Sequence, residues 1–165
     1  PALELLSTIL GGGMSSRLFV RLREQEGLCY SIRSGVDVYQ GTGLFAVQAG
    51  LDQQRLPLAI KLIREELKLI SHTLVKADEL LRVKEYTKGR MTLALEDCAA
   101  RADWYGKRLF LEGKRTTPSE VLTELMAVTS TQIQAVAREV ILSTKATLAL
   151  VGPFRNPKPW KKLLT

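Results

Sequence analysis

Histidine occurs once in this chain, at position 72, and cysteine twice, at positions 29 and 98. A lone histidine excludes an H-E-x-x-H helix or its inverted form, and two distant cysteines cannot close a tetrahedral metal site. The chain by itself is therefore expected to bind no catalytic zinc, and it carries no other cofactor fingerprint. His72 falls at the end of a predicted helix and reads as a surface residue. Two cysteines on different predicted elements make no disulfide framework, so Cys29 and Cys98 are both expected to be reduced core residues. No G-x-S-x-G elbow is present, and Cys29 has a single histidine in the whole chain to partner it. A Ser-His-Asp or Cys-His centre is not expected on that count.

Long apolar runs are missing too. No stretch approaches the roughly 18 residues that a membrane helix needs. The opening PALELLSTIL has neither a basic lead-in nor a small-residue cleavage site, so it is no signal peptide. No membrane association is expected, and a cytoplasmic location is favoured. The chain opens on Pro1 instead of Met, straight into an amphipathic helical pattern. That points to a piece of something longer, with the start of its domain missing.

What the chain does have is enough apolar content, 45% of 165 residues, to bury the core of one domain. Its net charge of +7 raises the possibility of a nucleic-acid partner. The cations, however, alternate with acids in stretches such as KLIREELKL and RVKEYTKGR, the pattern of solvated helix faces. No aromatic-basic alternation accompanies them, and no nucleic-acid partner is expected.

Apolar spacing predicts a helix over residues 2–10, carrying Leu3, Leu6, Ile9 and Leu10. Gly11, Gly12 and Gly13 interrupt it, since glycine in a helix costs about 1 kcal/mol relative to alanine. A second helix is predicted near 15–26, with Leu18, Phe19 and Leu22 as apolar contacts and Gly27 as its stop. From Cys29 the period becomes two. Tyr30, Ile32, Val36 and Val38 are read as facing one way, and Ser31, Arg33 and Asp37 the other. After a turn at Gln40-Gly41-Thr42-Gly43, the alternation resumes through Phe45, Val47, Ala49 and Leu51, which makes a β-hairpin.

Helical period returns over 53–71. A long helical stretch follows from about 77 to 112, expected to bury Leu80, Val83, Met91, Leu95, Cys98, Ala102, Tyr105 and Leu109. TPSE at 117–120 and TSTQ at 129–132 both read as capping boxes that open helices. ATLALVG, residues 146–152, reads as a buried strand. The expected division is one domain over 1–152 and a tail or linker over 153–165. Helices on one face of a mainly antiparallel sheet account for this order, an α+β fold.

Two features invite a chemical reading. The first is the triple glycine, which can serve either as a flexible turn between helices or as a loop that contacts a peptide. It lacks the strand and the G-K-[ST] of a phosphate-binding loop. The second is Arg23 in a helix's last turn, with Tyr30 seven residues on, across the stop at Gly27. A guanidinium beside a phenol suits a carbonyl, a carboxylate or a developing oxyanion. The plainer account is that Arg23 complements the helix C-terminus while Tyr30 packs at the hairpin edge.

The phrase LSTILGGGMSSRLFVRLREQEGLCYSIRSG, followed by GTGLFAVQAG, strongly resembles the pitrilysin-type metallopeptidases. That superfamily includes insulin-degrading enzyme, the mitochondrial processing peptidase and many bacterial zinc proteases. The likeness continues through LEDCAARADWYGKRL, TPSEVLTELMAVTSTQIQAVARE and LALVGP, nearly the whole chain. It implies a metallohydrolase domain of the processing-peptidase type, here lacking its first strand. In such proteins one half carries H-x-x-E-H and a distal Glu on zinc, and this chain resembles the inactive domain of the other half. Zinc is then expected in a catalytic partner half, whether on the same polypeptide or a separate subunit, with a peptide as substrate.

The resemblance further implies that Arg23 and Tyr30 reach the partner's site, bind the substrate near its scissile carbonyl and help stabilise the oxyanion. Gly11, Gly12 and Gly13 are similar to a loop implicated in substrate contact in processing-peptidase subunits. The alternatives are a structural or chaperone-like subunit of the same superfamily and a basic nucleic-acid-binding module.

Overall fold

The structure is a computed structural model that describes residues 1–39, 41–113, 115–142 and 146–154, apart from the side chains of 111 and 112. Helix α1 (Ala2–Gly11) is its centre, with Leu5, Leu6, Ile9 and Leu10 all inaccessible or nearly so. A helix apolar on most of its circumference must be covered from several sides. Strand β1 (Cys29–Tyr39) lies along one side of α1. Helices α2 (Leu56–His72), α3 (Ala77–Ala94), α4 (Cys98–Lys107), α5 (Pro118–Ala127) and α6 (Ser130–Ala137) follow in the chain, and of these α3 and α6 also lie against α1. One core results, joining Leu5, Leu10, Leu22, Ile32, Leu125 and Ile133.

β1 pairs antiparallel with β2 (Thr42–Leu51) in a two-stranded sheet, with Ile32 opposite Ala49, Ser34 opposite Val47 and Val36 opposite Phe45. Gly41 in the connection takes a left-handed conformation, φ +79°, which favours glycine. Gln40 of the predicted turn lies outside the described residues. Phe45, Val47, Ala49 and Leu51 rest on the core, so the α+β architecture with helices on one face of an antiparallel sheet is what forms. Both predicted capping boxes are present. Thr117 accepts from the Glu120 N–H while Glu120 accepts from Thr117, and Thr129 and Gln132 repeat the exchange.

Three expectations are corrected. Tyr30 does not share a face with Ile32. Cys29 pairs with Leu51 and Ser31 with Gly50, leaving Tyr30 unpaired in a bulge that shifts the alternation. Cys29 and Ile32 both point inward, and Tyr30 is 85% exposed. Val38, expected on the same apolar face, is exposed near the hairpin tip.

The long stretch over 77–112 is two helices, since Asp97 caps a fresh start by accepting the Ala100 N–H at 2.7 Å. α4 buries none of its residues; Cys98, Ala102 and Tyr105 are exposed, as is Leu109 beyond it. Periodicity reports an apolar stripe, but not whether anything covers it. Finally, residues 146–152 form no strand, because the sheet of the described residues has two members and neither pairs with this segment. The stretch NPKPWKKLLT, most of the predicted tail, lies outside the described residues.

Candidate functional site

The segment that carries Arg23 begins after the triple glycine with a short α-helical turn and widens into a π-helical run over Phe19–Gln25. Similar widening follows α4 and α6, so by itself it marks no site. What distinguishes this run is how firmly it is held. Leu18 and Leu22, four apart, are fully buried. Arg17 donates from Nε and Nη2 to the two carboxylate oxygens of Glu79 on α3, each at 2.7 Å. Arg21 donates to Glu66 on α2 at 2.6 Å and also to Glu65. Bidentate and doubly anchored arginines fix orientation as well as position.

The end of the run is fixed as firmly. Gly27 is left-handed, φ +57°, and the Leu28 N–H donates back to the Leu22 carbonyl at 2.7 Å. Arg55, just before α2, donates to the Glu26 carbonyl at 3.0 Å and to the Gly27 carbonyl at 3.4 Å. These carbonyls would otherwise be orphaned at a helix end. Gly27 is thus the predicted stop, and the chain reverses there into β1.

Across this reversal Arg23 and Tyr30 do meet. The guanidinium carbon of Arg23 lies 5.3 Å from the centre of the Tyr30 ring, and 4.9 Å from the centre of the Phe19 ring. Both Arg23 and Tyr30 are exposed. Among the described residues Arg23 makes no ion pair. Its guanidinium carbon lies over the two rings, and among the described residues no carboxylate pairs with it. Next to it, burial pushes the Cys29 thiol above its ordinary pKa, with the charge of Arg23 opposing. Cys29 therefore stays a thiol at neutral pH and behaves as the packing residue expected of it.

The triple glycine adjoins this segment but is not loose. A Cβ on Gly11 would sit 2.4 Å from the Ser34 backbone nitrogen, so α1 meets β1 at a distance that only glycine allows. The Gly12 carbonyl accepts from the Tyr86 hydroxyl at 2.9 Å, and the Gly13 carbonyl accepts from Ser16 Oγ at 2.6 Å. The pocket beside it, bounded by Thr8, Gly13, Ser16, Glu79 and Tyr86, is small, with a volume of about 30 Å³.

Zinc does not fit these residues. Among the described residues no three His, Cys, Asp or Glu side chains gather as a ligand set. His72 is exposed at the end of α2, its Nδ1 2.8 Å from the Lys68 carbonyl.

Arg23 with Tyr30 and the triple glycine are the features that the sequence singles out, and the fold brings Arg23 and Tyr30 together across the stop at Gly27. Phe19 carries only the signal of an apolar contact there, although its place four residues before Arg23 on one helical face also marks it as a neighbour. The bulge and the Arg55 clamp have no local signature, because both depend on partners far along the chain.

Residues 1–87 match the family model described as the peptidase M16 inactive domain. An uncharacterised zinc protease of Streptomyces coelicolor is 35% identical over 155 residues, which cover 94% of this chain and 34% of that protein. One from Bacillus subtilis is 34% identical over 154 residues, 93% of this chain and 37% of that protein. The chain thus spans about a third of the length of these relatives. Among solved structures, a conserved protein from Enterococcus faecalis superposes with a TM-score of 0.71 at 28% identity, over 83% of this chain and 32% of that one. A peptidase M16 inactive domain from Pseudomonas fluorescens gives a TM-score of 0.76 at 23% identity, over 84% and 33%.

Proposed function

This chain belongs to the peptidase M16 inactive-domain family, and from that premise we propose that it is the substrate-clamping half of a zinc metallopeptidase. Zinc, its ligands and the general base would lie in a catalytic partner half, a reading supported by the zinc-protease relatives, of which this chain spans about a third. Such a metal supplies Lewis-acid chemistry to a peptide carbonyl. This chain's own share would be to receive the carbonyl oxygen from the opposite side. Arg23 would donate N–H groups to it and Tyr30 its phenolic O–H, as charge builds on that oxygen. Gly11, Gly12 and Gly13 would contribute a fixed backbone wall beside the peptide.

The observation that carries this reading is the pairing of an arginine free of carboxylates with an exposed tyrosine across a clamped reversal. A packing role alone would favour a tyrosine turned toward the core, and the bulge turns this one away from it.

The test is Tyr30→Phe in the complete protein, with its catalytic half. Loss of one oxyanion donor lowers turnover by about 10²-fold. Zinc content, measured by elemental analysis, stays at the wild-type level. Unchanged turnover would remove Tyr30 from the reaction.

A further inference from the structure

We infer that Phe19 is a positioning residue that holds the Arg23 guanidinium in place before any ligand arrives. The inference rests on the reading of Arg23 as the group that meets the substrate carbonyl.

The helical segment carries three arginines, at 17, 21 and 23, in two different situations. Arg17 and Arg21 have their N–H groups engaged by Glu79, Glu65 and Glu66. Those contacts fix their side chains and also neutralise them. Arg23 would be fixed equally well by a carboxylate, but its N–H groups would then be unavailable to a neutral carbonyl. An aromatic ring holds a guanidinium differently, through the planar face, leaving the N–H edge free. Phe19 is the ring placed to do so, with the guanidinium carbon over it at 4.9 Å from the ring centre.

The two rings beside Arg23 are not equivalent. Phe19 is half-buried and packed against the hydrophobic core, so its plane is set by the fold. Tyr30 stands 85% exposed on a bulge and has no such support. Of the pair, Phe19 is the fixed wall and Tyr30 the solvent-side cover. A long exposed arginine otherwise samples many rotamers, and ordering them at each encounter costs free energy. Resting on Phe19 removes part of that cost in advance, which is the sense in which the site is preorganised.

The experiment uses the full-length protein with its catalytic half, assayed on a mixture of internally quenched peptides. Phe19→Leu keeps an apolar group against the core but removes the ring. A cation–π contact at an exposed site predicts about a three- to tenfold fall in kcat, with KM little changed. Phe19→Tyr retains the ring and keeps wild-type kcat, while the Arg23→Ala background separates the contact with the guanidinium from packing alone. In an Arg23→Ala background, Phe19→Leu has no further effect, because the group it acts through is gone.

Wild-type kcat in Phe19→Leu overturns the inference. So does a Phe19→Leu effect that multiplies undiminished onto Arg23→Ala, since Phe19 would then act independently. Either result leaves the proposed function standing if Arg23→Ala itself is impaired. An Arg23→Ala variant with wild-type kcat removes the function reading and this inference with it.

Discussion

At the scale of single residues, two glycines that look alike in sequence do unlike work. Gly11 is needed for space, since a methyl group there would meet the Ser34 backbone at 2.4 Å. Gly27 is needed for handedness, since its φ is +57° while a methyl group there would meet nothing within 4 Å. Gly11→Ala must therefore push α1 away from β1, and overpacking of this kind costs about 1–3 kcal/mol. Gly27→Ala carries only the left-handed backbone term, about 1–2 kcal/mol. Denaturant titration of the two variants checks this. Gly11→Ala also loosens the contact between the hairpin and the central helix, visible as faster amide exchange at Ser34, which Gly27→Ala leaves unchanged. Equal exchange at Ser34 in both variants would refute the distinction. Gly27 is legible from sequence, because it follows a helix and precedes a strand, but the role of Gly11 is not. Three consecutive glycines read as looseness until the strand that presses on them is in place.

At the scale of elements, local chemistry is the most legible part. Both capping boxes stand in the sequence as Thr117 with Glu120 and Thr129 with Gln132, and both form because every partner lies within one turn. They differ in one testable respect. Glu120 accepts the Thr117 N–H and hydroxyl, which lowers its pKa from the ordinary value. A carboxylate whose folded pKa is depressed contributes stability above its unfolded pKa of about 4.3, and that contribution is lost as pH falls through the folded value. The Gln132 cap has no such titration. Glu120→Gln is thus expected to lower stability at pH 7 and to match the wild type in strong acid, as thermal unfolding against pH would reveal. A constant difference at every pH would count against the carboxylate's role. What stays hidden at this scale is the bulge at Tyr30. Strict alternation assigns that side chain to the core face, and one unpaired residue reverses the assignment.

At the scale of the whole molecule, the apolar surface is divided unequally. Leu5, Leu6, Ile9 and Leu10 are sealed in the centre, while Leu93, Tyr105, Leu109 and Phe110 stand in solvent along and around α4. Phe110, 90% exposed, is a large aromatic whose removal should change stability by no more than about 0.5 kcal/mol. Leu6→Ala, by contrast, should cost about 2–5 kcal/mol. The urea midpoints of Phe110→Ser and Leu6→Ala test the contrast, and a large loss in Phe110→Ser would mean that this face is covered. The periodicity of residues 98–109 is helical, as the structure bears out. Burial does not follow from it, because a stripe on one element carries no information about its neighbours. The same limit explains residues 146–152, where β-branched and apolar residues promise a strand but no described strand offers them a ladder.

The bulge has a consequence for how this sheet can grow. Neither outer edge of the two-stranded sheet pairs with a further strand among the described residues. A newcomer aligned along β1 from Val38 back to Ile32 would keep in step with the pleat. At Tyr30 the parity changes, and a regular strand would fall out of phase with every residue beyond it. The unpaired position thus interrupts the regular ladder at the point where the phenol and the guanidinium stand.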